Sequence, residues 1–211
     1  MGATTIASGG TFAPGSGTPG SSMTVAGNLA FQSGALYLVQ VNPSSASSAN
    51  VTGSATLAGT VSAALAPGSY VTRSYTILSA TGGLNGTTFN VLTTSNVPAG
   101  FKTDLSYTAN DVILNLTANL GAIGTTGLSI NQRNVANALD GFFNRGGTLP
   151  PNFLPIFGLT GSNLANALTA LSGEAATGAQ QVGFQMTNQF LGLMLDPFVD
   201  GRSAGALSTD E

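Results

Sequence analysis

Up to Gly121 the chain is a succession of short β-type runs separated by Gly, Ser, Thr and Asn, and no helical period interrupts them. The clearest runs are ALYLVQV at 35–41, SYVTRSYTIL at 69–78 and VILNL at 112–116. Single short strands cannot bury a core, so they must do it by joining or stacking. A weak internal echo says how. Thr24-Val25-Ala26-Gly27-Asn28 aligns with Asn50-Val51-Thr52-Gly53-Ser54 at an offset of 26 residues, and the pattern recurs at Thr81-Gly82-Gly83-Leu84. A period in the range of about 20 to 50 residues marks stacked repeats. The expected fold of residues 1–120 is therefore mainly β, a parallel β-helix or solenoid, with a sandwich of short strands as the competing arrangement.

Composition agrees and removes many functions. Of 211 residues 42% are hydrophobic, enough for one domain with an appended segment. Charged residues make up 6%, against about 25% in ordinary soluble domains. A solenoid tolerates this because neighbouring coils cover the hydrogen-bonding edges that other sheets guard with charge. With 5 Lys and Arg against 8 acids, a basic nucleic-acid-binding face is not sustained. The chain has no Cys and no His, so disulfides, thiolate metal sites and the commonest general base are all missing. Mean hydropathy is +0.27 without a long apolar run, so the apolar residues are spread along the chain rather than gathered into a membrane span. Met1–Ile6 has neither the basic start nor the apolar stretch of a signal peptide, and Ile6 stands where a myristoylation site needs Ser or Thr. If the protein is exported, its address is expected upstream.

The β half reads as ending in a hairpin. Leu105 and Tyr107 alternate with polar residues, Ala109-Asn110-Asp111 supplies a turn, and Val112, Leu114 and Leu116 alternate again. Such a hairpin would cap the last open coil, while the first coil, Thr4 to Phe12, would leave an exposed edge able to self-pair.

Residues 121–200 change to helical spacing. Ser129 is placed to cap a helix carrying Val135, Leu139, Phe142 and Phe143, stopped by Gly146-Gly147. A connector with three prolines, 149–157, reads as neither central strand nor helix interior. Ser162 is expected to open a second helix with Leu164, Leu168 and Leu171 on one face and Gly173 at its end. In a third, Ala175, Ala179, Val182, Met186, Phe190 and Leu193 step by three or four residues toward Asp196-Pro197. Packing among the three helices is expected to cover these faces. Residues 201–211 read as a flexible tail.

Several segments together resemble a known family. Gly10-Thr11-Phe12-Ala13-Pro14-Gly15, Met23 to Phe31, Tyr37-x-Val39-x-Val41-Asn42, Tyr75 to Gly83 and Leu105 to Leu114 are similar, in that order, to the C-terminal passenger segment of bacterial type V autotransporters. The similarity covers roughly residues 8–118, and 128–198 resembles the helical stretch that many of those proteins place next. It implies a right-handed parallel β-helix, capped by a hairpin and followed by a short α-helical linker region, acting as an autochaperone-like structural segment. It also implies an upstream passenger, a downstream outer-membrane β-barrel and a place at the cell surface. No alternating, aromatic-girdled barrel strands follow Asp200. The chain is thus expected to be a fragment, a truncated product or the split partner of a barrel on another chain.

Other motifs are weaker. Gly15-Ser16-Gly17-Thr18-Pro19-Gly20 fits G-x-G-x-x-G, but Pro19 and Ser21-Ser22 do not open the helix that a dinucleotide fingerprint requires. Asp104 and Asp111 flank the hairpin turn as a carboxylate pair, a pattern that in other settings serves acid/base work or calcium. Here turn and edge roles are expected. Asn50, Asn85 and Asn115 head N-x-Ser/Thr triplets, read as products of an Asn/Thr-rich composition. No serine has a His or a nearby Lys to activate it, so no enzyme, no catalytic set, and no cofactor or metal site is expected. The alternative to a structural module is an adhesin or glycan-binding face on the polar side of the solenoid, with a host protein or glycan as ligand. Against it, the four Tyr are dispersed and form no cluster.

Overall fold

The structure, a computed structural model, describes residues 3–122 and 127–195, with the side chains of 174–182 set aside. Its first half winds in coils of three strands. β1 (Ala3–Ile6), β2 (Thr11–Phe12) and β3 (Ser22–Val25) make the first coil; β4 (Asn28–Phe31), β5 (Leu36–Val41) and β6 (Ser48–Val51) the second; β7 (Ala55–Thr56), β8 (Thr60–Leu65) and β9 (Ser74–Ala80) the third. Every strand pairs in parallel with its counterpart one coil on, giving the columns β1-β4-β7, β2-β5-β8 and β3-β6-β9. The protein is a parallel β-solenoid of about three turns.

The echo in the sequence is the register of this stack. Thr24 lies opposite Asn50 and Val25 opposite Val51, and Val51 in turn lies opposite Ala80. The corner that follows repeats with it: Gly53 N donates to Gly27 O at 2.9 Å, and Gly82 N to Gly53 O at 2.8 Å. A Cβ on Gly53 would sit 2.6 Å from the Gly27 carbonyl oxygen, so the coils come this close only because the corner is glycine.

Alternation fills the interior. Tyr37, Val39 and Val41 point inward from β5, and Val61, Ala63 and Leu65 from β8 directly beneath them. Rings from successive coils stack in the middle: Phe12, Phe31, Tyr37 and Phe89 have centroids between 5.2 and 5.8 Å apart. The run expected from Ser69 begins pairing only at Ser74, because Pro67-Gly68 turns the chain and Tyr70 plugs the core instead, its hydroxyl donating to Ala66 O at 2.7 Å.

The parallel stack then ends. β10 (Val91–Ser95) adds one more strand in parallel to β8. β11 (Phe101–Tyr107) and β12 (Asp111–Ala118) form the expected hairpin, and β12 runs antiparallel along β9. Reversing direction converts the last parallel edge into a closed one. The turn is tied by Thr108, whose Oγ1 accepts from the amides of Asn110 and Asp111.

Three helices follow. α1 (Ile130–Asn144) starts at the expected Ser129, which forms a capping box with Gln132, and ends before Gly146 at φ +101°. The proline-rich connector corrects the expectation that it would avoid helix: Pro151–Gly158 winds as 3-10 turns with Pro155 inside. Pro151 begins them where an amide would be unpaired anyway, and short 3-10 turns demand fewer amides than an α-helix. α2 (Gly161–Ser172) is preceded by Thr160 rather than opened by Ser162, and Gly173 closes it at φ +76°. α3 (Glu174–Leu195) follows at once. Val182, expected on its face, Asp196-Pro197 and the tail lie outside the described residues.

The expected three-helix core is also corrected. Leu139, Phe143, Ile156, Phe157, Leu164 and Leu168 are buried, so α1, the 3-10 turns and α2 share a core, and that core is continuous with the solenoid. On α3, Met186, Phe190 and Leu193 are all more than half exposed.

Candidate functional site

Function in a solenoid depends on how its ends are treated, since each terminal coil presents unpaired backbone groups. The two ends of this one differ. At the N-terminal end, β1, β2 and β3 are each the outermost strand of their sheet, with no partner strand beyond them among the described residues. Ala3, Thr4, Thr5, Thr11, Ser22, Met23 and Thr24 are exposed. No Asp, Glu, Lys or Arg precedes Arg73, so this end lacks the charges that protect natural sheet edges.

At the other end all three sheets are closed, each by a different device. Side chains and loop backbone cover β7: Ala55 N donates to Gly83 O at 2.9 Å, Leu57 N to Thr87 Oγ1 at 2.8 Å, and Gly59 N to Asn90 Oδ1 at 2.8 Å. β10 covers β8, and the hairpin covers β9. Helices are then fastened over the hairpin's far end. Phe101, Phe143 and Phe157 meet with centroids 4.6 to 5.6 Å apart. Asn144 grips Ala118 with both amide atoms, accepting from its N–H at 2.8 Å and donating to its carbonyl at 3.0 Å. The Asp140 carboxylate accepts from Leu120 N and Gly121 N, both at 2.9 Å. Burial raises its pKa above the ordinary carboxylate value, and these two bonds offset part of the shift. Arg73 donates to Phe143 O at 3.2 Å and lies 5.9 Å from the centre of the Phe143 ring.

Arg73, Asp140 and Asn144 are the functional residues that sequence reading missed. The signal for two of them was present: Asp140 and Asn144 stand four apart on α1, where helix geometry puts them on one face. Nothing local to the strand identifies Arg73.

The motifs resolve as turns and edges. In 15–20 all three glycines have positive φ, between 69° and 81°, and strand β3 follows, so no dinucleotide site forms. Asp104 and Asp111 are held by different partners: Asp104 accepts from its cross-strand neighbour Asn115 at 2.9 Å, and Asp111 bonds Thr108 at 3.1 Å. Asn50 is exposed on β6, Asn85 occupies a turn at φ 55°, and Asn115 bonds Asp104 and Ser106. Among the described residues no group of three or more His, Cys, Asp or Glu is placed to hold a metal ion. Tyr37 is fully buried with its hydroxyl on Ile77 O, and burial raises its pKa strongly; that of Tyr75 is raised to about 12. No helix among the described residues is long and apolar enough to cross a membrane. In comparisons with known proteins, no family model and no curated sequence matches the chain.

Proposed function

We propose that the protein is a non-enzymatic structural segment, the closed end of a longer β-solenoid, of the kind that its resemblance to autotransporter passengers implies. The observation that supports this reading is the asymmetry of the ends: three uncharged, exposed parallel edges at one, and three covered sheets with a docked helical cap at the other. An open edge in register is a template on which a preceding coil can add its backbone hydrogen bonds, while the closed end stops propagation. In a secreted passenger this end would emerge and fold first. The folding free energy released outside the cell, where no ATP is expected, would bias the chain against sliding back. Absence of cysteine suits that role, since disulfides formed beforehand would hinder passage through a pore. The partners in this reading are an upstream passenger and a downstream outer-membrane β-barrel, and the location is the cell surface.

A glycan-binding face receives less support, because Tyr37, Tyr70 and Tyr75 are buried and the hydroxyl of Tyr107 accepts from Phe89 N at 3.2 Å.

The test is to place the chain between a β-helical passenger and a membrane barrel and measure display of protease-resistant passenger on cells. Display is expected with the intact chain and is expected to fall sharply when Leu105–Leu116 is deleted. Undiminished display after the deletion contradicts the proposal.

A further inference from the structure

The helical region carries two apolar surfaces that its own chain leaves uncovered. The first is a pair of adjoining grooves on the cap, with volumes of about 380 and 470 Å³, which share Phe153 and Leu171. Ile156 and Leu159 line one and Val135 and Phe142 the other, and no charged residue lines either. Phe142 and Leu171 stand 45% and 41% exposed at the surface. The second is α3. From Gly183 to Leu195 every residue is exposed, including Phe184 at 70%, Met186 at 67%, Phe190 at 60% and Leu195 at 78%. At about 100° per residue, Phe184, Leu191 and Leu195 fall on one side of the helix and Met186, Phe190 and Leu193 on the adjoining side. Gln185, Asn188 and Gln189 occupy the remaining arc, and no residue after Glu174 in the helix is charged.

A helix with apolar anchors at i, i+4 and i+7 is what an apolar groove accepts. The linkage decides which groove. α2 ends at Ser172 and α3 begins at Glu174, so Gly173 alone joins them. Antiparallel helices need a loop of about two to five residues to fold against one another. α3 therefore cannot turn back along α2 into its own groove without unwinding a turn, whereas the groove of another molecule carries no such restriction. Very short hinges favour this kind of exchange. We infer that the protein forms a reciprocal dimer in which α3 of each copy seats its Phe184 to Leu195 segment in the Phe153/Leu171 grooves of the other. Because helix and groove lie on the same chain, one twofold axis satisfies both and the assembly closes.

Light scattering on the size-separated 211-residue chain, over about a hundredfold range of concentration, tests this. The unaltered chain should have the mass of a dimer. A variant carrying M186E and F190E, and separately L171E, should weaken the dimer by about a hundredfold or more while the β circular-dichroism signal stays. All three positions are at the surface, so folding is not at stake. A chain that is monomeric throughout, or variants that remain as dimeric as the parent, would overturn the inference. So would a monomer whose α3 binds neutral phosphatidylcholine vesicles. The absence of native cysteine allows a second readout: L171C and F190C placed together should oxidise to covalent dimers. An intrachain disulfide at monomer mass would show α3 folding back and overturn it.

Discussion

The solenoid and the helical cap are held together in different ways. In the solenoid, backbone ladders and strict in-out alternation carry the fold, and one column of residues looks much like the next. In the cap the work falls to individual side chains: Asn144 on Ala118, Asp140 on Leu120 and Gly121, Arg73 on Phe143. A repeated backbone interface needs no charge to specify its register, because the pleat and the corner glycines do so. A helix laid on a sheet end has no ladder to follow, so its position must be set by placed polar groups and interlocking rings. That is why the first stretch of the chain reaches Arg73 without a charge, and why the charges that do occur concentrate at the hairpin and the cap.

This contrast can be broken from either side. The largest effect is expected from Leu114→Asp: Leu114 is fully buried in β12, facing the last coil, and an unpaired carboxylate there should cost more than about 4 kcal/mol. Urea denaturation should show both regions lost together. Phe157→Ala should cost about 3 to 5 kcal/mol, but in the cap alone, leaving the three-coil signal in circular dichroism while helical amides lose protection. If strands and helices melt together in that variant, the two regions are less separable than described. Gly53→Ala should cost about 1 to 3 kcal/mol by forcing a methyl onto the Gly27 carbonyl, seen as a lower Tm.

The smallest effect is electrostatic. The Asp140 pKa is raised in the folded state, so the folded protein holds that proton at pH values where the unfolded chain has released it. Its contribution is therefore fully present below the ordinary carboxylate pKa and is lost as pH rises through the raised value. Compared with Asp140→Asn, the parent should lose a little stability between about pH 3 and pH 6. A difference that stays flat, or reverses, would show that the two amide bonds outweigh burial.

The two regions were also unequally legible in the sequence. The offset between Thr24 and Asn50 is the stacking register itself, and Ala109-Asn110-Asp111 gave the hairpin away, because a periodic backbone writes its period into composition. The cap was readable only one helix at a time. Ser129 and Gly173 marked ends correctly, yet nothing in the apolar spacing of Met186 and Phe190 distinguishes a stripe buried against neighbours from one left exposed. That depends on the single-residue link at Gly173 and on where the 3-10 turns put Phe157, both of which are tertiary facts. Arg73 and Asp140 escaped for the same reason, their partners lying 70 and about 20 residues away.

The central claim is that one end of the solenoid is open and the other closed, and residue-resolved amide hydrogen exchange tests it most directly. Protection should rise along the stack, lowest in β1 and β3 and highest in β8, β9 and β12, because an end coil without a neighbour opens at little cost. Equal protection of the first coil and of β12 would contradict it.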